Sequence, residues 1–351
     1  MTSKPVFSPG ISKENSFDFL RLLFAFSVFI SHFSVLTSIR ICWPISSAMG
    51  VAGFFIISGF LITRSYYRSA NLTDYAIKRI RRIVPACFLV VIACALLFSL
   101  TSSLPPKAYF TAGEFYKYVA ANLSFLNFIQ PTLPGVFREN PFPYVNGALW
   151  TIKVELALYA CVPLLALFLK RKPVIALAAL YGFSFLFDYA MSCLYERSGN
   201  EMYLILERQF LGQIRFFAAG IILLFYFDGI TKRRLQWIAP FAALVFLLRY
   251  VVRHWVIELF FPISFAVLVI SFAYYFPKPA MVSRYGDISY GFYLYHYPVI
   301  QLFLYSGWMK ESPVLLFLAC FGSVVLLSGL SWHLLEKRML QRKREHPVNH
   351  R

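Results

Sequence analysis

Charge is scarce in this chain. Charged residues make up 14% of its 351 positions and hydrophobic residues 59%, a balance that excludes a soluble globular domain of this size. Acidic residues are scarcer still, 16 against 34 Lys and Arg, giving a formal net charge of +18. In a soluble protein that excess would suggest nucleic acid. Here the basic residues stand in short segments between apolar runs, so membrane topology explains them and no nucleic-acid partner is expected. Six cysteines (Cys42, Cys87, Cys94, Cys161, Cys193 and Cys320) show neither CxxC nor paired ligand spacing, so neither a disulfide framework nor a metal site is expected. The chain has no GxSxG elbow, no P-loop, no internal repeat and no low-complexity tract. No small-residue cleavage site follows the first apolar run, so the segment with Lys4, Lys13 and Glu14 reads as leading into an uncleaved first span.

What is abundant is apolar and aromatic sequence, with 38 Phe and 22 Tyr, which suits lipid-facing surfaces and interfacial belts. With about 20 apolar residues per crossing, spans are expected near residues 17–38, 46–63, 83–101, 144–169, 173–193, 209–229, 235–252, 254–276, 289–306 and 313–335. The expected fold is therefore all-α, a polytopic membrane helix bundle of about ten transmembrane helices forming a single domain over residues 1–351. With the N-terminus inside, 22 of the 34 basic residues fall in cytoplasmic segments, against 8 on the opposite side. That asymmetry predicts both termini in the cytoplasm, with a basic tail from about residue 336 to 351. The longest outer loop, roughly residues 102–143, is proline-rich and too short for a separate domain.

Several spans carry groups that are expensive in a bilayer, about 2.5–3.5 kcal/mol for Arg, Lys or Asp at a helix centre. Arg21 and His32 are eleven residues apart, within about 20° of three full helical turns and about 16 Å along the axis. They share a face that runs from the cytoplasmic mouth past the midplane. The bland alternative pairs Arg21 with Asp18 at i to i+3 and gives His32 a backbone carbonyl. After the second span stand Arg64, Arg68, Lys78, Arg79, Arg81 and Arg82, ahead of Pro85. If that stretch is helical, Arg79 and Arg82 share a face and can grip a phosphate; otherwise the cluster sets topology or meets anionic lipid. Lys153 and Glu155 enter the membrane two residues apart, on different helix faces, so each needs its own partner or a wet cavity. Pro298 should kink the helix bearing His296 and free the carbonyl of Leu294, a bland partner for that histidine. Ser58-Gly59 reads as a close-packing site rather than a nucleophile.

Taken in order, these segments resemble the acyltransferase-3 family of membrane O-acyltransferases over almost the whole chain. Phe17-Asp18-Phe19-Leu20-Arg21 with His32 resembles the family's Arg, ten residues, His signature. Gly50 with Phe54-Phe55-Ile56-Ile57-Ser58-Gly59-Phe60 resembles its second-helix motif, and Arg79-Ile80-Arg81-Arg82 its Arg-x-x-Arg motif. Trp150-Thr151-Ile152-Lys153-Val154-Glu155 with Tyr159 is similar to the Trp, Glu and Tyr pattern. Ser289-Tyr290 with Tyr293-Leu294-Tyr295-His296-Tyr297-Pro298 is similar to the late motif, and Glu336 after Trp332 to the closing Glu. Two positions depart: Leu22 replaces a small residue, and Lys153-Val154-Glu155-Leu156 lacks a second acidic residue, which bears on the acceptor class. No soluble hydrolase-like extension is expected after the last span.

The resemblance implies acyl-CoA, most often acetyl-CoA, as donor substrate and a sugar hydroxyl of a cell-surface or lipid-linked glycan as acceptor. It also implies a multi-pass location in a bacterial inner membrane, among its lipids. Arg21, Arg79 and Arg82 would hold the anionic donor, and His32 with Glu155 would carry the chemistry. Trp150, Asn146 and His296 would contact the acceptor. His32 would act either as general base or as a covalent acyl carrier. A transporter or flippase for a lipid-linked glycan is the rival class, since charged stripes through a bundle also mark substrate pathways.

Overall fold

The computed structural model describes residues 15–226, 232–252, 254–276, 286–308 and 311–341. The N-terminal residues up to Glu14 and most of the expected basic tail lie outside the described residues. Among the described residues the regular structure is all helical, without a strand, and residues 124–149 form an irregular connection. In order, the helices are α1 (Phe17–Thr37), α2 (Ser47–Arg68), α3 (Leu72–Leu97), α4 (Pro106–Thr111), α5 (Gly113–Leu123), α6 (Trp150–Leu169) and α7 (Pro173–Ser198). They continue as α8 (Met202–Glu207), α9 (Phe210–Tyr226), α10 (Lys232–Val251), α11 (Trp255–Tyr275), α12 (Ser289–Ser306), α13 (Pro313–Ser331) and α14 (Lys337–Gln341). A π turn, Trp332–Glu336, joins the last two.

Local chemistry sets many of the ends. Proline occupies the first turn of α4, α7 and α13, where its missing N–H is not needed. Left-handed glycines, Gly199 at φ 67° and Gly307 at φ 63°, stop α7 and α12, as such glycines commonly do.

Among the described residues eight helices are long and apolar enough to cross a membrane, which makes the chain a polytopic membrane protein. The two remaining expected spans are also helical but more polar. In α10 the apolar part is only Gln236–Val251, and α12 carries five tyrosines, His296 and Gln301. Two helix starts differ from expectation. The third begins at Leu72 rather than near residue 83, because Asn71 and Asp74 cap it: the Asp74 amide donates to Asn71 Oδ1 at 2.8 Å and the Ala70 amide to Asp74 Oδ2 at 3.3 Å, a reciprocal arrangement that satisfies early donors. Lys78, Arg79, Arg81 and Arg82 are thus part of α3, with Pro85 inside the helix, while Arg64 and Arg68 belong to α2. The fourth begins at Trp150 rather than near residue 144, because residues 140–149 are held by side chains of α12.

Two compact units divide the chain. The first comprises residues 1–21, 51–75 and 154–280. Within it Gly59 of α2 lies against the Phe217 carbonyl of α9, and Gly220 of α9 against the Ile56 carbonyl of α2; a Cβ at either position would collide with backbone. This mutual approach is the close packing expected of Ser58-Gly59 and typical of membrane helices. Arg215 on α9 forms a forked pair with Asp188 on α7 at 2.5 and 2.7 Å. Both residues are buried. Tyr181 donates to the Leu259 carbonyl.

The second unit comprises residues 22–50, 76–153 and 281–351. Its centre is aromatic: Phe29 meets Phe292, Phe317 and Phe321 with ring centroids 5.5–6.1 Å apart. Gly50 lets the start of α2 rest on the Phe24 carbonyl and Val28 of α1. Tyr109 of α4 donates to the Ala95 carbonyl at 2.7 Å, tying the outer segment to α3.

Candidate active site

His32 lies on α1, five residues before its end, and is half-buried. Its Nδ1 stands 2.7 Å from Nε2 of His296, and the two imidazoles are nearly parallel, 7° apart. His296 is 0% exposed, and its own Nδ1 lies 2.7 Å from the Tyr293 carbonyl.

That chain of contacts fixes the proton positions. A carbonyl oxygen only accepts, so Nδ1 of His296 must carry the hydrogen. In the neutral ring Nε2 of His296 then has the lone pair and accepts from Nδ1–H of His32. The remaining nitrogen, Nε2 of His32, is left with its lone pair. A half-buried imidazole so held offers one basic nitrogen of defined tautomer. The edge of Tyr297 closes one side of the His32 ring, with centroids 5.3 Å apart and planes at 79°.

The support for this pair comes from α12 and the chain before α6. Pro298 frees the carbonyl of Leu294, as the sequence predicts, but His296 is not its partner. Asn146 Nδ2 donates to that carbonyl at 2.9 Å, while Asn146 Oδ1 accepts from the Ala148 amide at 3.1 Å. His296 instead donates within its own turn, to Tyr293. Tyr293 OH meets Thr151 Oγ1 at 2.8 Å and donates to the Ala148 carbonyl at 3.2 Å. Gly147 leaves room for Tyr297: a Cβ there would lie 2.7 Å from the ring. One turn beyond Pro298, Gln301 Nε2 donates to the carbonyls of Phe142 and Tyr144 at 2.5 and 2.7 Å, and its Oε1 accepts from Asn140 Nδ2 at 3.0 Å.

At the other end of α12 a second polar cluster forms. Arg82 of α3 is paired with Asp287, which also accepts from Ser289 Oγ. Arg82 retains 22% of its side-chain exposure. Tyr290 OH donates to the Ile83 carbonyl at 2.9 Å. Glu336, in the π turn, accepts from Ser331 Oγ at 2.8 Å, and its Oε1 would lie 3.3 Å from a Cβ at Gly291. Arg79 is half-buried one turn before Arg82 on α3.

The other expected residues fall elsewhere. Trp150 opens α6 and is half-buried. Lys153 has its Nζ 4.4 Å above the Phe128 ring, a cation–π partner. In the first unit Glu155 accepts from Tyr159 OH one turn along α6, and Tyr75 OH donates to the Tyr159 carbonyl at 2.9 Å. Arg21 pairs with Asp18 at 3.4 Å, the local partner its spacing allows. Arg215 on α9 and Glu258 on α11 meet Asp188 and Arg249 respectively. Sequence reading also passed over Asn140, Asp287, Thr151 and Gln301. Gln301 had a visible signal, an amide inside an otherwise apolar run.

A family model described as an acyltransferase domain matches residues 14–333. The chain is 29% identical over 365 residues to nodulation protein 10 of Rhizobium leguminosarum bv. viciae, covering 92% of each chain. It is 26% identical over 348 residues to the O-acetyl transferase of Shigella phage Sf6, covering 94% of this chain and 97% of that one. To the O-acetyltransferase OatA of Staphylococcus aureus it is 25% identical over 375 residues, covering 95% of this chain but 57% of that protein. No solved structure matches. The protein is a membrane enzyme that belongs to the acyltransferase-3 family, with one family model spanning nearly all of its helices.

Proposed function

We propose that this enzyme transfers an acetyl group from cytoplasmic acetyl-CoA to a sugar hydroxyl of a cell-surface or lipid-linked glycan. The observation that carries the proposal is the oriented lone pair on His32 Nε2. The acceptor hydroxyl gives its proton to Nε2 as its oxygen attacks the thioester carbonyl. The C–S bond breaks, and the leaving thiolate takes the proton from the imidazolium to become CoA–SH. Alternatively Nε2 attacks the thioester carbonyl itself, the C–S bond breaks and CoA thiolate leaves; the hydroxyl oxygen then attacks the acetyl-imidazolium, the N–C bond breaks, and the hydroxyl proton goes to the thiolate to give CoA–SH. Both routes need the same nitrogen.

His296 fits a positioning role better than the acceptor contact expected from sequence, because it is fully buried with both ring nitrogens engaged. Asn146 is likewise occupied on both side-chain groups. For the donor, Arg79 and Arg82 share a face of α3 and Arg21 begins the stripe that ends at His32. Arg82 is already paired with Asp287, so a phosphate would share or displace that carboxylate. Glu155, hydrogen-bonded to Tyr159, is proposed as a second polar group of the reaction, and Trp150 as a sugar contact. The whole chain acts as one domain in a bacterial inner membrane, both termini in the cytoplasm. Printed names of two relatives specify O-acetyl transfer, and this supports acetyl over larger groups.

The test is mass spectrometry of surface glycans from a strain lacking the gene, complemented with wild type or His32→Ala. Acetyl-sized increments restored by wild type alone support the proposal. Increments restored by His32→Ala refute the role of His32, and a truncated or missing glycan in the deletion strain would instead indicate transport.

A further inference from the structure

The chain before α6 presents an exposed aromatic pair that the active-site description leaves without a task. Phe142 and Tyr144 are 41% and 42% exposed, with ring centroids 6.5 Å apart and planes 33° from parallel. Prolines 141 and 143 flank and separate them, restricting the backbone at each step. A fully buried side chain fixes the segment from below: Gln301, 0% exposed, spends its amide donor on the carbonyls of these same two residues. Asn140, itself buried, completes the clamp on the Gln301 oxygen. A buried amide used in this way holds two rings outward at defined positions, which a merely lipid-facing loop does not require. Three residues after Tyr144, Gly147 lies against the Tyr297 ring, 2.7 Å from where its Cβ would be, and Tyr297 packs edge-on against His32. The pair is therefore continuous with the reacting nitrogen.

We propose that Phe142 and Tyr144 form an acceptor subsite, a platform on which a sugar ring of the glycan stacks while its hydroxyl reaches His32 Nε2. The C–H edge of a pyranose is apolar and faintly positive, and the face of an aromatic ring is apolar and negative. Two tilted rings thus suit two consecutive sugars of a chain better than a single small alcohol. This rests on the glycan-acceptor proposal above, and the sidedness agrees: the segment follows the outer loop, and His32 stands near the same end of α1.

The competing role for exposed rings in this protein is an interfacial belt. Replacement of both residues by leucine keeps apolar bulk for a belt but removes the aromatic faces. The experiment uses the full chain in lipid nanodiscs, radiolabelled acetyl-CoA, and as acceptor a de-O-acetylated surface-glycan extract from a strain lacking the gene. Wild type, Phe142→Leu/Tyr144→Leu and the ring-preserving swap Phe142→Tyr/Tyr144→Phe are titrated with extract and, separately, with acetyl-CoA. The leucine pair should raise the apparent KM for extract about tenfold with kcat and the acetyl-CoA KM within about twofold, and the swap should restore it. An extract KM unchanged in the leucine pair, or a rise shared by the swap, overturns the platform while leaving the glycan-acceptor proposal standing. Wild type that labels no component of the extract overturns both.

Discussion

His296 is the sharpest place to perturb this site, because its two ring nitrogens have separable duties. Removing the ring with His296→Ala leaves Nδ1–H of His32 without its acceptor and the Tyr293 carbonyl without its donor. An unsatisfied buried group costs about 1–3 kcal/mol. If that loss falls on the arrangement that the transition state needs, it corresponds to about a 5- to 150-fold drop in kcat. His296→Gln can place an amide oxygen where Nε2 stood, so it keeps the contact to His32 and loses mainly the Tyr293 bond. His296→Asn does the reverse. The expected order of kcat is wild type, Gln, Asn, Ala, with acetyl-CoA KM little changed because the residues proposed to hold the donor, Arg21, Arg79 and Arg82, are untouched. The assay is steady-state acetyl transfer in nanodiscs, with thermal unfolding of each variant as the control for lost packing. A His296→Ala protein that melts like wild type and turns over within about twofold of it would refute the tautomer argument. Equal loss in the Gln and Asn variants would show that bulk, not proton placement, is what His296 supplies.

Two further pairs separate binding from scaffolding. Arg82→Gln should raise the acetyl-CoA KM about tenfold or more and lower the melting temperature, since it orphans Asp287; adding Asp287→Asn should recover the melting temperature but not the KM. Recovery of both in the double variant would assign Arg82 to structure alone. Arg215→Met should destabilise the chain by about 3–5 kcal/mol by leaving Asp188 buried and unpaired, and Arg215→Met/Asp188→Leu should regain most of that. Thermal unfolding in detergent reads the difference, and a double variant as unstable as the single would mean that the pair is not an isolated one.

Much of this architecture is legible from sequence because apolar runs of bilayer length leave the backbone few options. The Arg21 and His32 spacing on α1 and the Gly59 contact follow from helical geometry and side-chain size alone. What escapes is pairing between distant segments. Nothing in the run around Pro298 indicates that Asn146 would take the Leu294 carbonyl, or that His296 would turn to His32, 264 positions away. Helix starts escape for a related reason. Hydropathy sees α3 only from its apolar part, whereas the Asn71 and Asp74 cap extends it over the basic stretch. The run before Trp150 is apolar enough to read as helix, yet Gln301 and Tyr293 hold it in another conformation. Arg82 shows the same limit for charge: its basic context suggests a phosphate, and its actual neighbour, Asp287, lies 205 positions on.

The polar make-up of α12 bears on how the protein is made. A segment with five tyrosines, a histidine and a glutamine partitions poorly into lipid by itself, since each polar side chain needs a partner within the membrane. Several of its partners, His32, the Ile83 carbonyl, Asn140 and Asn146, precede it in the chain and leave the ribosome first. The more apolar α13 starts at Pro313. Late in synthesis, then, α12 meets a half-built protein rather than bare bilayer, and the histidine pair can form only when the first helix and the twelfth come together. On the proposed mechanism, catalytic competence therefore waits for the arrival of α12, so a chain stalled before it carries His32 without its His296 contact.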